Sequence, residues 1–286
     1  MANLHSMHMT RVFFYFGHSL QDILKHAQQD LNTLNRWFQS NLLTINIQKT
    51  HYIIFKAKNK KIKNFTPLSI NNIEIKKTNT EKYLGLTLDS DLTWTVHVEN
   101  TKSKLSFLLG SLRGIFRCLP RGVYSTIYYS RVQSNLSYLV EIWGATSKTN
   151  LKSLQIIQNK IIKLLFHFKP LTSTNKLYKE TKILNIHQLY QYNTCILIHK
   201  ILQNNLQSEL SFLKNEQKGN RPLRSANNLY LPKTRTNYGK KSIIYEGAQI
   251  YNKLHQDIKT SKTFYNFTTK LKEYLIKNKI ESDPVS

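Results

Sequence analysis

The amino-acid sequence predicts an α+β fold: a small antiparallel sheet with one packed helix at the N-terminal side, then a mainly α-helical region. Three observations predict it. Apolar residues recur at spacings of three and four between Leu20 and Phe38. From Leu43 to Leu88 they alternate with polar residues or form short β-branched and aromatic runs. After Trp94 the helical spacing returns in long stripes. The chain has 286 residues, 40% of them hydrophobic and 11% aromatic, which is enough for a packed core.

The elements follow in order. Residues 11–16 (Arg-Val-Phe-Phe-Tyr-Phe) read as a short strand that Gly17 breaks. Ser19 has the chemistry of an N-cap, with Asp22 three positions on. Leu20, Ile23, Leu24, Ala27, Leu31, Leu34 and Phe38 then line one face of a helix ending near Asn41. Leu43, Ile45 and Ile47 alternate, and Tyr52 to Phe55 form a second apolar run, so this stretch reads as strand, turn, strand with Lys49 on the turn. Lys56, Lys58, Lys60, Lys61 and Lys63 mark a basic loop. Ile70, Ile73 and Ile75 suggest another short strand around an Asn71-Asn72 turn. Residues 83–88 read as a strand with an internal glycine, Gly85, which marks a bulge or a close backbone approach.

Beyond Trp94, Val98, Leu105, Leu108, Leu109, Leu112 and Phe116 form a helical stripe that Pro120 ends. Leu151, Leu154, Ile157, Ile161, Leu164, Leu165 and Phe168 form another, closed by Pro170, with Thr149 or Asn150 as its N-cap. Residues 189–202 make a third helix. Residues 214–242 are basic and poorly periodic and read as a long loop, and residues 245–254 and 264–275 read as two final helices.

Lys and Arg number 42 against 16 Asp and Glu, a formal charge of +26. Such a surface suits a polyanion, and the spread of basic residues matches a nucleic-acid binder better than an anonymous lysine-rich surface. No apolar run reaches transmembrane length and no signal-peptide pattern opens the chain, so the expectation is a cytoplasmic or nuclear protein, not secreted and without a membrane partner. Cys118 and Cys195 are far apart and read as two buried free thiols in a reducing compartment.

Local chemistry points to no enzyme. Metal-dependent phosphoryl transfer needs converging carboxylates. The aspartates are Asp22, Asp30, Asp89, Asp91, Asp257 and Asp283, and only Asp89 and Asp91 are close, where a turn or cap role is expected. His5 and His8 have metal-like spacing but no second pair beside them. Neither a phosphate-binding Gly-rich loop nor a Ser or Cys nucleophile signature is present. The basic and aromatic interleaving is more telling: Lys49; Lys82 and Tyr83; and Lys102, Lys104, Arg113 and Arg117 along one helix.

Three stretches carry a resemblance. They are residues 34–38 with 43–55 (Leu-Asn-Arg-Trp-Phe, then Leu-Thr-Ile-Asn-Ile-Gln-Lys-Thr to Phe55), residues 82–94 (Lys-Tyr-Leu-Gly-Leu-Thr-Leu-Asp to Trp94), and residues 141–144 (Glu-Ile-Trp-Gly) followed by 154–160 (Leu-Gln-Ile-Ile-Gln-Asn-Lys). Together they resemble the C-terminal half of reverse transcriptases from jockey-like non-LTR retrotransposons, and residues 239–275 resemble that family's tail. The resemblance implies a partial palm with a primer-grip hairpin over 1–92, a helical thumb-like domain over 93–213, and a basic loop with C-terminal helices over 214–286. The sheet would then be a palm remnant. Lys49 would sit beside the incoming nucleotide, Lys82, Tyr83, Leu84 and Gly85 would grip the primer end, and the helices after Trp94 would pack on a template–primer duplex of RNA template and DNA primer.

The sequence departs from the family before Val12. There the family carries an aromatic-Ala-Asp-Asp motif for its catalytic metals, whereas this chain reads Ser6-Met7-His8-Met9-Thr10. Methionine offers no oxygen to Mg²⁺, which wants hard ligands. The expectation is therefore a truncated copy or partial reading frame that binds template–primer, binds no cofactor itself (Mg²⁺ serves the intact family enzyme), and does not polymerise alone. The alternative is a non-enzymatic host RNA- or DNA-binding protein built on the same scaffold. A ribosome-associated structural protein fits less well with the long apolar stripes.

Overall fold

The backbone of Ser19 is extended, so its Oγ accepts a hydrogen bond from the Asp22 amide at 3.4 Å and starts helix α1 (Leu20–Ser40) as expected. The computed structural model describes residues 12–57, 60, 62, 65–115, 118, 120, 122–203, 206, 210–215 and 228–278, and divides into two units, residues 1–92 and 93–286.

In the first unit α1 buries Leu24 and Ala27 against Leu68, Ile70 and Ile75, with Leu20, Leu31, Ile45 and Tyr52 around them. The Gln28 amide ties helix to strand: its Nε2 donates to Ser69 O at 2.8 Å and its Oε1 accepts from Ser69 N at 2.9 Å. The strands are short and form three two-stranded ladders. β1 (His51–Tyr52) pairs in parallel with β4 (Lys76–Lys77). β2 (Ser69–Ile70) and β3 (Ile73–Glu74) are antiparallel, as are β5 (Thr80–Tyr83) and β6 (Leu86–Asp89). The α+β class with small sheets holds, with one ladder parallel rather than antiparallel.

Several sequence expectations change here. Residues 12–16 form no strand, because among the described residues no neighbouring backbone pairs with them; only Tyr15 is anchored, its hydroxyl donating to Asp30 Oδ2 at 3.0 Å. The alternating Leu43-Ile45-Ile47 stretch is not a strand either. Asn46 Oδ1 accepts from Lys49 N at 3.1 Å and Asn46 O from the Thr50 hydroxyl at 2.8 Å, so the side chain caps a 3₁₀ turn (Ile47–Lys49) in place of a ladder. The Asn71-Asn72 turn is as expected: both residues take positive φ (50° and 63°) and join β2 to β3. Lys58, Lys61 and Lys63 of the basic loop lie outside the described residues.

The second unit is helical. α2 (Thr95–Ile115) buries Val98, Leu105, Leu109 and Leu112 against α6 (Lys148–Leu165), which buries Leu151, Leu154, Ile157, Ile161 and Leu165. Between them run α3 (Val123–Ile127), a π-helical turn (Tyr128–Gln133), α4 (Ser134–Ser137) and α5 (Val140–Trp143). Here every fourth residue is buried: Tyr124, Tyr128, Val132, Leu136 and Val140. A strict α-helix would rotate such a row by about 40° per step, and the wider π turn takes up that drift. The N-cap of α6 is Ser147, not Thr149 or Asn150; its Oγ accepts from Asn150 N at 3.2 Å.

α7 (Thr174–Thr181) leads to α8 (Ile186–Leu202), which the Asn185–Gln188 capping box starts. The C-terminal elements are α9 (Asn237–Lys240), a second π turn (Ile243–Gly247), α10 (Ala248–Asn252), α11 (Gln256–Lys259) and α12 (Phe264–Lys277). Against α8 pack α4, α5, α6, the second π turn, α10 and α12. Cys195 is buried in α8, and burial pushes its thiol up to about 12. Cys118 is exposed, contrary to expectation; α2 ends at Ile115, so Cys118 lies beyond its buried stripe.

Two buried histidines should make this unit acid-sensitive. His97 sits edge-on to Trp143 (5.3 Å), and His199 stacks on Phe267 (3.7 Å) with Nδ1 3.2 Å from the Tyr251 hydroxyl. Burial lowers both imidazole pKa values, with Lys104 adding to the effect at His97. Unfolded chains titrate near 6.5, so between that pH and the lower folded values the unfolded state binds more protons. This stability is fully present above about pH 6.5 and drains away as pH falls, by at most about 1.4 kcal/mol per pH unit for each histidine. The urea midpoint of the second unit should fall from pH 7.5 to 5.5, and His97→Gln with His199→Gln should flatten that slope. A midpoint flat in the wild type would contradict the account.

Candidate nucleic-acid interface

Residues 83–88, read from their local pattern as one strand, form a hairpin. Tyr83 pairs with Leu86 and Lys82 with Thr87, and Leu84-Gly85 make a two-residue turn at φ 46° and 82°. Both residues lie in the left-handed region, which a two-residue turn needs to match the strand twist. Gly85 accepts that conformation freely. Leu84 does not, and a side chain there costs of order 1 kcal/mol or more. Leu84 is also 67% exposed, so burial does not offset the cost. The hairpin thus presents a strained apolar residue and bare glycine backbone at its tip, with exposed Lys82 and half-buried Tyr83 beside them.

Lys49 ends the 3₁₀ turn in the same unit, and its side chain is exposed. It lies on a helical turn rather than between two strands.

In the second unit Lys102, Lys104 and Arg113 are exposed on α2. At about 100° per residue, Lys102 and Arg113 fall within about 20° of each other on one flank of the buried stripe, some 16 Å apart along the axis. Lys104 falls on the opposite flank. A single strand of phosphates along α2 can therefore meet Lys102 and Arg113 together but not Lys104. Arg117 lies outside the described residues.

The third resembling stretch is largely internal, with Ile142, Ile156 and Lys160 exposed. Trp143 is fully buried with Nε1 donating to Tyr138 O at 2.8 Å. Gln158 is fully buried too: Nε2 donates to the Tyr128 hydroxyl (2.8 Å) and Leu184 O (2.9 Å), and Oε1 accepts from Ile186 N (3.1 Å). Gln155 and Asn159 bond Tyr178 beside it. These residues hold α6, the π turn and the start of α8 together.

Among the described residues the carboxylates do not make a metal set. Asp91 is paired with Lys56 Nζ at 3.2 Å, Asp89 sits in β6 facing Thr80, and among the described residues no three His, Cys, Asp or Glu side chains converge. His8 and Met9 lie outside the described residues. Among the described residues no helix is long and apolar enough to cross a membrane.

The chain is similar in sequence to retrotransposon polymerases. It is 25% identical over 155 residues to the probable RNA-directed DNA polymerase from transposon BS of Drosophila melanogaster, a stretch that is 53% of this chain and 17% of that protein. It is 24% identical over 155 residues to the probable RNA-directed DNA polymerase from transposon X-element of the same organism, with the same coverage. To the RNA-directed DNA polymerase from mobile element jockey it is 26% identical over 141 residues, 48% of this chain and 15% of that protein. The match thus spans about half of this chain and about one sixth of each relative. No family model matches the chain, and no solved structure gives a significant match.

Proposed function

We propose that this chain is part of a non-LTR retrotransposon RNA-directed DNA polymerase that holds the template–primer and does not itself join nucleotides. The similarity to the jockey, BS and X-element polymerases supports the family reading. The observation that carries the binding reading is the 80–89 hairpin, whose tip keeps an exposed leucine in a left-handed conformation next to Gly85, Tyr83 and Lys82. Backbone strain at an exposed turn is a feature that clusters at contact sites. Gly85 lets a sugar–phosphate backbone approach the turn, Tyr83 gives a ring to lie against a sugar or base, and Lys82 gives a charge for phosphate. Lys102 and Arg113 on one flank of α2 supply further phosphate contacts. If Thr10 aligns with the threonine that often follows the family's motif, His8 and Met9 stand where the two aspartates would be, which supports inactivity in phosphoryl transfer.

Two measurements test this. Incubated with Mg²⁺, deoxynucleotides and an annealed RNA template and DNA primer, the purified chain should bind and leave the primer unextended; template-dependent extension would refute the inactivity. Its affinity should fall steeply with salt, and Lys82→Glu and Lys49→Ala should each weaken binding and lower the log–log salt slope by about 1. Unchanged affinity in both variants would show that the contact surface is elsewhere.

A further inference from the structure

We propose that residues 233–241 form a second contact, a rigid platform for single-stranded nucleic acid. The inference rests on the nucleic-acid reading above but concerns a surface of the second unit outside the hairpin and α2. No acidic residue occurs between Glu216 and Glu246, and the described part of that interval carries Lys233, Arg235, Lys240 and Lys241. All four are exposed, and none forms a salt bridge among the described residues. Burial raises the carboxyl pKa of the half-buried Glu246, and the charge of Lys241 partly offsets this.

A basic run is usually a solvated tail, but this one is folded. Thr236 Oγ1 accepts from Gly239 N at 3.1 Å, and the Ser242 hydroxyl donates to Gly239 O at 2.7 Å. Lys240 N bonds Thr236 O and Lys241 N bonds Asn237 O, both at 3.1 Å. The turn is closed so tightly that a Cβ on Gly239 would lie 3.1 Å from Thr234 Cβ. It is also fastened to the core: the π turn that follows brings Gly247 so close to α8 that a Cβ there would meet Ile198 and Thr194 at 3.1 Å. The charges are therefore held in place, which lowers the ordering cost of binding.

Tyr238 decides the class of ligand. The residue is 42% exposed in the middle of the basic turn, between Arg235 and Lys240. Cations that track a backbone together with a ring that stacks a base are the elements of single-strand recognition, and stacking needs an unpaired base. A duplex keeps its bases stacked on each other and gains nothing from Tyr238. An anionic membrane would use the lysines but has no base for the ring.

The experiment uses the full chain and three probes: a fluorescein-labelled uridine 20-mer, a hairpin duplex of matched phosphate number, and vesicles containing phosphatidylserine. Tyr238→Ala should weaken the single strand roughly tenfold and leave the duplex unchanged, while Tyr238→Phe retains binding. Arg235→Ala with Lys240→Ala should lower the single-strand salt slope by about 1.4, that is, about 0.7 for each of two phosphates. Equal losses on single strand and duplex, or a loss on vesicles with none on the single strand, would overturn the platform. So would wild-type affinity for the single strand in all these variants while the duplex still binds, and the nucleic-acid reading would then stand. Binding of neither nucleic acid by the wild type would refute both. Matching melting temperatures for all variants would show that the exposed substitutions leave the fold intact.

Discussion

Gly144→Ala should lower the melting temperature of the second unit by roughly 6–12 °C. The reason is not backbone conformation, since Gly144 has φ −67° and ψ −17°, which any residue adopts. It is space. A Cβ there would lie 2.5 Å from Val140 O and 2.8 Å from Tyr190 Cγ, with Cδ2 of the same ring nearer still. Val140 O is backbone and already accepts from Gly144 N at 2.7 Å. Tyr190 is buried in α8, and its ring cannot swing aside without opening the α5–α8 contact. Overpacking of this kind costs about 3 kcal/mol at the upper end of the usual range, and each kcal/mol moves Tm by roughly 2–4 °C in a unit of this size. Differential scanning calorimetry checks it. Tyr190→Leu in the Gly144→Ala background should recover part of the loss, because the two changes act on one contact. An unshifted Tm would mean that α5 moves away from α8 at little cost.

This glycine shows which parts of the molecule were legible in the sequence. The Glu-Ile-Trp-Gly and Leu-Gln-Ile-Ile-Gln-Asn-Lys stretches carry part of the resemblance, and the structure gives them a packing role: Gly144 admits Tyr190, Trp143 fills the core, and Gln158 joins the Tyr128 hydroxyl to two backbone groups at the start of α8. Residues that carry a resemblance are not all contact residues. The capped start of α1 and the Asn71-Asn72 turn could be read directly, since each depends on a local hydrogen bond or φ preference carried by the residue type itself. The long stripes of α2, α6 and α8 were legible because their period is helical.

What stayed hidden depended on partners or on broken periods. Tyr124 to Val140 repeats every four residues and needs a π turn, so neither a helical nor a strand pattern describes it. Residues 12–16 have strand composition, but a strand exists only where another backbone meets it. The 80–89 hairpin was hidden for the opposite reason: the turn residue is Leu84, which turn statistics disfavour, so the local pattern ran straight through it as one strand. The family resemblance supplied the hairpin that local patterning missed. The split of α2 into two charged flanks follows from spacing alone once the buried face is known; without that face Lys102, Lys104 and Arg113 are only three cations on a helix.

Gln158→Leu should cost more than the Gly144 change, because it removes hydrogen bonds and not merely space. Leucine fills a similar volume, so no large cavity opens, and the effect isolates polarity. Three buried groups would lose their partner at once: the Tyr128 hydroxyl, Leu184 O and Ile186 N. Each unsatisfied group costs about 1–3 kcal/mol, so a total of about 3–9 kcal/mol is expected. That is a large share of the ~5–15 kcal/mol by which an ordinary domain is stable. The loss should concentrate where these bonds converge. Ile186 N is the first amide of α8, so hydrogen exchange in the first turn of α8 should accelerate ahead of exchange in α2. Gln158→Glu provides the sharper comparison. It keeps an acceptor for Ile186 N but, while ionised, has no donor for Leu184 O and places a charge where water is excluded. Burial raises the carboxyl pKa in the folded state, so the stability of this variant should recover as pH falls toward 5, opposite in sign to the histidine effect. Urea titrations of the two variants between pH 7.5 and 5 separate these outcomes. Equal stabilities at every pH would mean that Gln158 acts by shape alone and that its hydrogen bonds contribute nothing to joining α6, the π turn and α8.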